Sequence, residues 1–258
     1  MNKTSNTPQR VIVTAAGAGI GRAIAESFYQ QGAKVHICDI SAHAINETLS
    51  ANPSMRGSIA DIGQADQVDT LFKLATAWMG GVDVLINNAG IGGPRAPLDE
   101  IEDDQWNQTI QINLNGAFYC IKRAAKFMKQ QRSGCIINIS SASARTGLPN
   151  RAPYVASKVA LQGLTQNVAR ELGPFNISCN ALLPGAIDNA RGHKLVENLA
   201  SERDQSIEEA ERRRLSYISM RTRINPTEIG KTAVFLANDG RHISGQEIGV
   251  CGNSEWEE

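Results

Sequence analysis

Residues 10–21 read RVIVTAAGAGIG, a run of β-branched residues that passes directly into a turn containing three glycines. A helical pattern follows at once, over residues 20–31. Glycines between a strand and a helix let the backbone approach a phosphate group, and the free N–H groups at the start of the helix favour its negative charge. The stretch therefore predicts a dinucleotide site in an α/β fold, although taken alone it is also compatible with a tight structural turn.

Short β-branched runs alternate with amphipathic helical stretches along the whole chain. The runs predict strands at 10–14, 34–38, 55–60, 82–86, 135–140, 177–183 and 247–250. The stretches between them predict helices at 20–31, 42–50, 65–79, 103–131, 153–172 and 226–237. Strands that alternate with helices of this length are joined by right-handed crossovers. The sequence thus predicts an α/β protein with a single-domain, Rossmann-like, doubly wound parallel sheet of about seven strands and helices on both faces.

Residues 10–258 are predicted to form one domain after a flexible N-terminus at 1–9, because no repeat or linker divides the chain. Residues 188–224 interrupt the alternation of strands and helices, since they follow the sixth strand and are rich in both acidic and basic residues. An excursion at the carboxyl end of a strand is where an open α/β sheet places ligand-covering elements, so we interpret this one as a substrate lid. Its middle, 195–217, predicts one or two amphipathic helices. The residues expected to face inward are Leu195, Leu199, Ile207 and Leu215.

The composition of the chain bears on whether it binds nucleic acid, a membrane or a metal. Lys plus Arg and Asp plus Glu both total 26, so the net charge is zero and nothing favours nucleic acid or an anionic membrane. A polar start and the lack of an apolar run of about 18 residues predict a cytoplasmic protein without a membrane span. The five cysteines lie in apolar runs, as is typical of reduced core residues. The four histidines show no metal-ligand spacing, so no metal is predicted.

Asp39 directly follows the second predicted strand, 20 positions after Gly19. This is the spacing expected of a carboxylate that accepts a hydrogen bond from the 2′-hydroxyl of a bound ribose. A helix cap ahead of the predicted helix 42–50 is the alternative for this side chain. The first interpretation predicts NAD as the cofactor, because a carboxylate repels the 2′-phosphate of NADP.

Two further motifs accompany the glycine turn. Residues 87–90 read NNAG after the fourth predicted strand, and residues 154–158 read YVASK. Together the three motifs resemble the short-chain dehydrogenase/reductase family, and the similarity covers essentially residues 10–252. The resemblance implies a nicotinamide-dependent oxidoreductase that interconverts an alcohol and a carbonyl. The family's turn usually begins Thr-Gly, whereas this chain has Thr14-Ala15.

The resemblance also implies which residues hold the cofactor. The implied set is Gly17, Gly19, Ile20 and Gly21 at the pyrophosphate, Asp39 at the ribose, Asp61 and Ile62 at the adenine, Asn88, Ala89 and Gly90 beside the cofactor ribose, and Pro184, Gly185 and Ile187 at the nicotinamide, together with Tyr154 and Lys158. Family members often have Thr two residues after the equivalent of Ile187, and this chain has Asn189 instead.

Tyr154 and Lys158 are four residues apart, so they share one face of a helix. An isolated phenol has a pKa of about 10 and is a poor base at neutral pH, but a nearby ammonium group favours the phenolate. As an isolated pair, the two residues are more typical of a surface helix. The resemblance assigns Tyr154 as general base supported by Lys158. It also assigns Ser141 to orient the substrate oxygen, with Ser140 and Ser143 as alternatives, and Asn113 to kink the long helix and support a proton relay.

Candidate substrate contacts lie on loops that the fold places around the pocket. Guanidinium groups there are suited to a carboxylate, phosphate or sulfonate, and a histidine lies in the predicted lid. For each of these charged side chains, a solvated surface position is the alternative. The candidates are Arg95, Ser143, Arg145, Arg151 and His193.

The leading hypothesis is an NAD-dependent oxidoreductase acting on a secondary alcohol of a polar, sugar-like or acidic metabolite. One alternative is an NADPH-dependent 3-oxoacyl reductase of the same family, which Asp39 and the uncharged Ala18 disfavour. The other is a non-catalytic sensor of the nicotinamide cofactor, which the complete catalytic set disfavours. Family members of this size pair their long helices and last strands, so we expect a homotetramer formed through 103–131, 153–172 and the segment ending at Gly252.

Overall fold

A seven-stranded sheet forms the centre of the protein. The computed structural model describes residues 7–254, so most of the predicted flexible segment 1–9 lies outside the described residues. The strands are β1 Arg10–Thr14, β2 Lys34–Asp39, β3 Arg56–Ile59, β4 Val84–Asn87, β5 Gly134–Ile139, β6 Ile177–Pro184 and β7 Glu247–Val250. They lie in the order β3-β2-β1-β4-β5-β6-β7, and every neighbouring pair is parallel. The predicted doubly wound parallel sheet is confirmed.

The strand order reverses between β1 and β4. The chain winds outward from β1 to β3 and then returns to begin the other half of the sheet at β4. The connections therefore leave the carboxyl ends of β1 and β4 in opposite directions, which opens a crevice where α/β sheets bind their ligands. Both the glycine turn after β1 and the NNAG motif after β4 lie at this crevice.

Helices cover the sheet between successive strands. They are α1 Gly19–Gln30, α2 Ala42–Ala51, α3 Ala65–Met79, α4 Asp103–Ile110, α5 Gly116–Gln131, α6 Ser143–Thr146, α7 Ala152–Leu172, α8 Ala190–Glu202, α9 Ile207–Ser216 and α10 Pro226–Asn238. The stretch 103–131, predicted as one helix, is divided by a π-helical turn at Gln111–Asn115. Single π-helical turns of this kind occur frequently at functional sites.

Two apolar clusters pack on opposite faces of the sheet. Ile24 and Phe28 of α1 pack with Ile229 and Leu236 of α10 in one cluster. The other cluster contains apolar residues of α3, α5 and α7, among them Leu71, Cys120, Met128 and Leu172. Because the strands between them are covered on both sides, β1, β4, β5 and β6 are almost wholly buried.

The cysteines behave as predicted for reduced core residues. All five are free, and Cys38, Cys120, Cys135 and Cys179 are buried. Burial raises the pKa of the Cys38 thiol to about 12 and that of Cys135 to about 11, because the thiolate form is poorly solvated there. These thiols are therefore unreactive at neutral pH.

Over residues 7–254, no helix is long and apolar enough to cross a membrane. In the same part of the chain, His, Cys, Asp and Glu side chains form no group of three that could hold a metal ion.

The predicted lid contains α8 and α9, but the prediction that Ile207 faces inward was wrong. Val196, Ala200 and Ala210 are the buried side chains of these helices, whereas Ile207 is exposed. Leu195, Leu199 and Leu215 are only half-buried. Small side chains face the contact because the two short helices pack mainly against each other, where alanine permits close approach.

The two ends of the lid are joined to each other. Asp188 N donates to Ile224 O at 2.9 Å, and Ile224 N donates to Ala186 O at 2.8 Å. Glu211 also accepts a bidentate pair of hydrogen bonds from Arg223, at 2.5 and 2.7 Å. The two ends of residues 188–224 are therefore held together, and α8 and α9 lie between them.

Candidate active site

The glycine turn after β1 depends on two unusual backbone positions. Ala15, which stands where the family usually has glycine, has a φ of 47°, and Gly19 has a φ of 58°. A left-handed conformation costs a residue with a Cβ about 1–2 kcal/mol. The turn is held nonetheless, because Asn88 Nδ2 donates to Ala15 O at 3.0 Å. A Cβ on Gly21 would lie 2.3 Å from that same oxygen, so only glycine fits there.

The NNAG motif joins the two halves of the crevice. The backbone N–H groups of Asn88 and Ala89 donate to Thr14 Oγ1 at 2.9 and 3.0 Å. Asn88 Nδ2 also donates to Thr14 O at 3.0 Å. The ends of β1 and β4 are thereby held together, which fixes the base of the predicted cofactor site.

Asp39 lies beside the glycine turn. Its carboxylate accepts a hydrogen bond from Gly17 N at 3.1 Å and another from Ser41 N at 3.1 Å. The alternative role as a helix cap belongs to Ser41, whose Oγ accepts from Ala44 N at 3.2 Å. The structure therefore leaves Asp39 positioned next to the turn that the resemblance assigns to the pyrophosphate.

The predicted adenine-side residues follow β3. Asp61 is half-buried, and its Oδ1 accepts from Gly63 N at 2.8 Å. Ile62 is buried, and it fills the space in which a side chain at Gly116 would otherwise lie. These contacts fix the backbone that borders one end of the crevice.

The predicted nicotinamide-side residues follow β6. Gly185 N donates to Val250 O at 3.1 Å, and its Cα packs so closely on Cys251 that a Cβ would lie 2.8 Å from Cys251 Cα. Ile187 O accepts from Arg223 at 3.0 Å and is therefore already engaged within the lid base. Asn189 caps α8 by accepting from Gly192 N at 2.8 Å. The departure from Thr at this position thus supplies a helix cap.

Tyr154 and Lys158 lie one turn apart near the start of α7. Tyr154 is half-buried, and the Lys158 ammonium lies 5.9 Å from the centre of its ring. Lys158 is buried, and its Nζ donates to Ile139 O at 2.8 Å. Burial lowers the pKa of Lys158 to about 8, and the positive charge of Arg191 acts in the same direction. The pair is close enough for the ammonium to stabilise negative charge on the phenol.

Asn113 lies in the π-helical turn and is fully buried. Its amide nitrogen donates to Ile91 O and to Ser157 Oγ, both at 3.0 Å, and its amide oxygen accepts from Ile91 N at 2.8 Å. A Cβ on Gly90 would lie 3.2 Å from both Asn113 Oδ1 and Lys158 Nζ. Asn113 thus links the loop after β4 to the helix that carries Tyr154 and Lys158.

The three serines after β5 have different surroundings. Ser140 is buried, and its hydroxyl donates to Lys158 O at 3.0 Å, so it packs the strand end against α7. Ser141 is half-buried, and its Oγ lies 2.8 Å from that of Ser143. Ser143 N also donates to Ser141 Oγ at 3.3 Å. The geometry therefore leaves Ser141 and Ser143 as a hydroxyl pair and gives Ser140 a structural partner.

The predicted substrate contacts have different surroundings in the structure. Arg151 lies 5.3 Å from the centre of the Tyr154 ring. The Arg145 guanidinium is bound to the backbone oxygen of Glu247 at 2.7 Å, on β7. His193 pairs with Asp188 at 2.8 Å and lines a cavity of about 150 Å³ with residues of α9. Arg145 and His193 thus have structural partners that the sequence pattern did not reveal.

Arg95 and Arg191 complete the charged surroundings. Arg95 pairs with Glu202 at 3.4 Å. Arg191, which is not among the predicted substrate contacts, reaches the loop after β4 with its guanidinium beside Gly92. No sequence signal marked it, because it is one of several arginines in a lid of mixed charge.

The parallel sheet, the glycine turn at its switch point and the Tyr154–Lys158 cluster define an α/β oxidoreductase of the dinucleotide-binding type. Residues 9–200 match the family profile described as short chain dehydrogenase. The chain is 35% identical over 258 residues to 3-oxoacyl-[acyl-carrier-protein] reductase FabG of Staphylococcus epidermidis, covering 98% of each protein. The chain belongs to the short-chain dehydrogenase/reductase family.

Solved structures show the same fold. The crystal structure of a single-residue variant of actinorhodin polyketide ketoreductase with NADPH superposes with a TM-score of 0.91 at 28% identity, covering 95% of this chain and 96% of that one. The structure of NAD⁺-bound xylitol dehydrogenase gives a TM-score of 0.90 at 27% identity, covering 96% of this chain and 100% of that one. The predictions of family and fold class are therefore confirmed.

Proposed function

We propose that the protein is an NAD-dependent oxidoreductase that interconverts a secondary alcohol and a ketone by hydride transfer. The observation that carries this proposal is the Tyr154–Lys158 pair at the carboxyl end of β5, where buried Lys158 donates to Ile139 O two residues before Ser141. Oxidation of a panel of secondary alcohols, hydroxy acids and sugars, followed by the absorbance of NADH, tests it.

The residues of the crevice fit a nicotinamide dinucleotide. Gly21 leaves no room for a side chain beneath the turn, and Asp39 supplies an acceptor at the end of β2. The residues proposed to hold the cofactor are the glycine turn with Asp39, Asp61 and Ile62, the NNAG loop, the 184–187 segment and the Tyr154–Lys158 pair. The nicotinamide supplies the hydride acceptor for oxidation or the donor for reduction.

In the oxidative direction Tyr154 takes the proton of the substrate hydroxyl as general base. Lys158 stabilises the phenolate electrostatically, and Ser141 donates a hydrogen bond that orients the substrate oxygen. Asn113 positions the Ile91 backbone and α7 through its three hydrogen bonds. We propose that it thereby supports the proton relay to Lys158. In the reductive direction Tyr154 returns the proton as general acid. We further propose that α8 and α9 close over the substrate and exclude water.

We expect NAD to be preferred over NADP by about 10² in kcat/KM. Asp39 lies at the end of β2, and the neighbouring positions Ala18, Ile40 and Ser41 offer no cation for a 2′-phosphate. With NADP, the carboxylate loses the hydrogen bond from the 2′-hydroxyl and is repelled by the 2′-phosphate. At a partly exposed site this costs about 2–4 kcal/mol of binding free energy. Steady-state kinetics with both cofactors measures the ratio.

The Asp39→Ala variant should lose most of that preference through a higher KM for NAD. Asp66→Ala removes an exposed carboxylate from the start of α3 and serves as the matched control, with unchanged kinetics. Equal or better kcat/KM with NADP in the wild-type protein would refute the cofactor proposal.

A 3-oxoacyl reductase that uses NADPH is the second candidate, since the name of the Staphylococcus epidermidis relative favours a 3-oxoacyl substrate. Asp39 argues against the NADPH part of that candidate. A non-catalytic cofactor sensor is disfavoured by the geometry of Tyr154, Lys158 and Asn113. Assays with a 3-oxoacyl thioester and NADPH separate the two enzyme candidates.

We expect a homotetramer. Apolar side chains lie exposed on the helices expected to pair, including Trp106 on α4, Phe118 on α5 and Val159 on α7. Exposed apolar groups clustered on neighbouring helices are typical of association surfaces. Light scattering should give a mass about four times that of the 27.8 kDa chain, and Phe118→Glu should lower it. A stable monomer of the wild-type protein at micromolar concentration would contradict this expectation.

A further inference from the structure

Two arginine side chains meet above the loop that follows β4. Arg151, just before α7, donates to Gly92 O at 2.8 Å. Arg191, in the first turn of α8, reaches the same place from the lid. The terminal nitrogens of Arg151 and Arg191 lie 2.5 and 3.1 Å from the point that a Cβ on Gly92 would occupy. Two guanidinium groups from different elements are therefore close enough to contact one small group.

This guanidinium pair, Arg151 with Arg191, lies next to the reacting centre. The Arg151 guanidinium is 5.3 Å from the centre of the Tyr154 ring, and Tyr154 in turn faces Lys158. Arg191 is also close enough for its charge to lower the pKa of Lys158. A group held by the pair would lie within a few bonds of a substrate oxygen bound to Tyr154.

The positive charge at this place is not compensated. Within residues 7–254, neither Arg151 nor Arg191 forms an ion pair with a carboxylate, whereas the nearby Arg95 is paired with Glu202. Arg151 Nε is buried without a hydrogen-bond partner. Burial lowers the pKa of Arg151; Tyr154 acts in the opposite direction, and the charges of Arg191 and Arg95 lower the pKa further. Like charges held together are costly unless an anion binds between them.

We propose that the substrate carries an anionic group, a carboxylate, sulfonate or phosphate, a few bonds from the carbinol carbon, and that Arg151 and Arg191 bind it. This inference rests on the proposed function and specifies its substrate class. In oxidation the carbinol C–H bond breaks, its electron pair passes with the hydrogen to the nicotinamide of NAD, and the hydroxyl proton passes to Tyr154. The products are a keto acid or its sulfonate or phosphate counterpart, NADH and a proton.

The two arginines come from separate elements. Arg151 lies just before α7 and Arg191 at the start of α8, and both guanidinium groups lie beside Gly92. An anionic group on the substrate thereby contacts both elements at once, whereas a neutral ketone offers neither guanidinium a charged partner. This distinguishes the proposed substrates from a 3-oxoacyl thioester, whose ketone has no charged group beside it.

Anion binding to the protein–NADH complex tests the proposal directly. NADH fluorescence is followed while malonate, inorganic phosphate or propanesulfonate is added at constant ionic strength, which separates the three anion classes. We expect at least one of them to bind, and Arg151→Gln and Arg191→Gln each to raise its Kd tenfold or more while the Kd of NADH changes less than twofold. Gly92→Ala should also weaken anion binding, because its Cβ displaces both guanidinium groups without removing charge.

The control is Arg203→Gln, which removes an exposed arginine at the end of α8 and should leave every constant unchanged. A kinetic arm compares 3-hydroxybutyrate with its methyl ester, and the acid should have at least a tenfold lower KM that Arg191→Gln raises. Three results overturn the proposal: no anion binds the complex, the ester is the better substrate, or Arg191→Gln weakens NADH as much as the anion. Failure of NADH itself to bind would refute the proposed function instead.

Discussion

Tyr154→Phe is expected to lower turnover by about 10² or more while the Kd of NADH stays within about twofold of the wild-type value. The substitution removes only the hydroxyl, so the ring keeps its contacts with Arg151 and Lys158. Without that hydroxyl, no group at the start of α7 takes the substrate proton. Steady-state kinetics together with an NADH titration measures the two effects separately.

The matched control for this variant is Tyr119→Phe. Tyr119 is half-buried on α5, and its hydroxyl contacts only Gln111 Nε2 at 3.4 Å among the described residues. Turnover should be unchanged in this variant. If Tyr154→Phe kept near-normal turnover, or if it lost activity only because NADH no longer bound, the assigned role of Tyr154 would be wrong.

Lys158→Met is expected to lower turnover by a factor similar to that of Tyr154→Phe. In the absence of cofactor it is expected to stabilise the protein. The ammonium is buried with Ile139 O as its hydrogen-bond acceptor, and no carboxylate pairs with it within residues 7–254. Its pKa falls to about 8, which corresponds to a cost of roughly 3 kcal/mol while it stays charged. Losing the hydrogen bond to Ile139 O costs about 1 kcal/mol. The free energy of unfolding should therefore rise by about 1–3 kcal/mol at pH 7.

The pH dependence of this gain follows from the direction of the shift. Because the pKa of Lys158 is lowered in the folded state, the unfolded chain binds more protons from about pH 8 to the ordinary lysine pKa of about 10.4. The contribution of Lys158 to the free energy of unfolding of the wild-type protein therefore rises with pH across that window. The advantage of Lys158→Met should be largest below pH 8 and vanish towards pH 10. Denaturant unfolding at several pH values tests this, and a destabilised variant or a pH-independent difference would contradict it.

The parts of the fold that depend on local patterns were predictable from the sequence. Glycines at 17, 19 and 21 mark the turn after β1, since a phosphate-binding turn requires close approach of the backbone. The alternation of strands and helices determines a parallel sheet, because each helix must return the chain to the same edge. Tyr154 and Lys158 were recognisable because their spacing places them on one helix face and the family motif contains both.

Other features depend on contacts between distant segments, which periodicity does not record. The π-helical turn at Asn113 is held by hydrogen bonds to Ile91, 22 positions away. The partner of Arg145 lies on β7, 102 positions away. In the predicted lid, the buried cluster of α8 and α9 consists of Val196, Ala200 and Ala210, whereas Ile207, predicted to face inward, is exposed.

The guanidinium pair illustrates the same limit. Arg151 was selected from its position before α7, but Arg191 resembles any other lid arginine in sequence. Only the folded chain brings both guanidinium groups to Gly92. The site is therefore identified by where the fold places the two arginines, and their presence in the sequence does not reveal it.

Reduction of NAD by the purified wild-type protein, compared across hydroxy acids, secondary alcohols and sugars beside the Tyr154→Phe variant, tests the central claim most directly. We expect NADH to form with a hydroxy acid in equal amount to the keto product, far faster with NAD than with NADP. The same reaction should be at least about 10² slower in Tyr154→Phe. A wild-type protein that binds NADH yet oxidises no member of the panel, or a Tyr154→Phe variant that oxidises the substrate at the wild-type rate, would contradict the account.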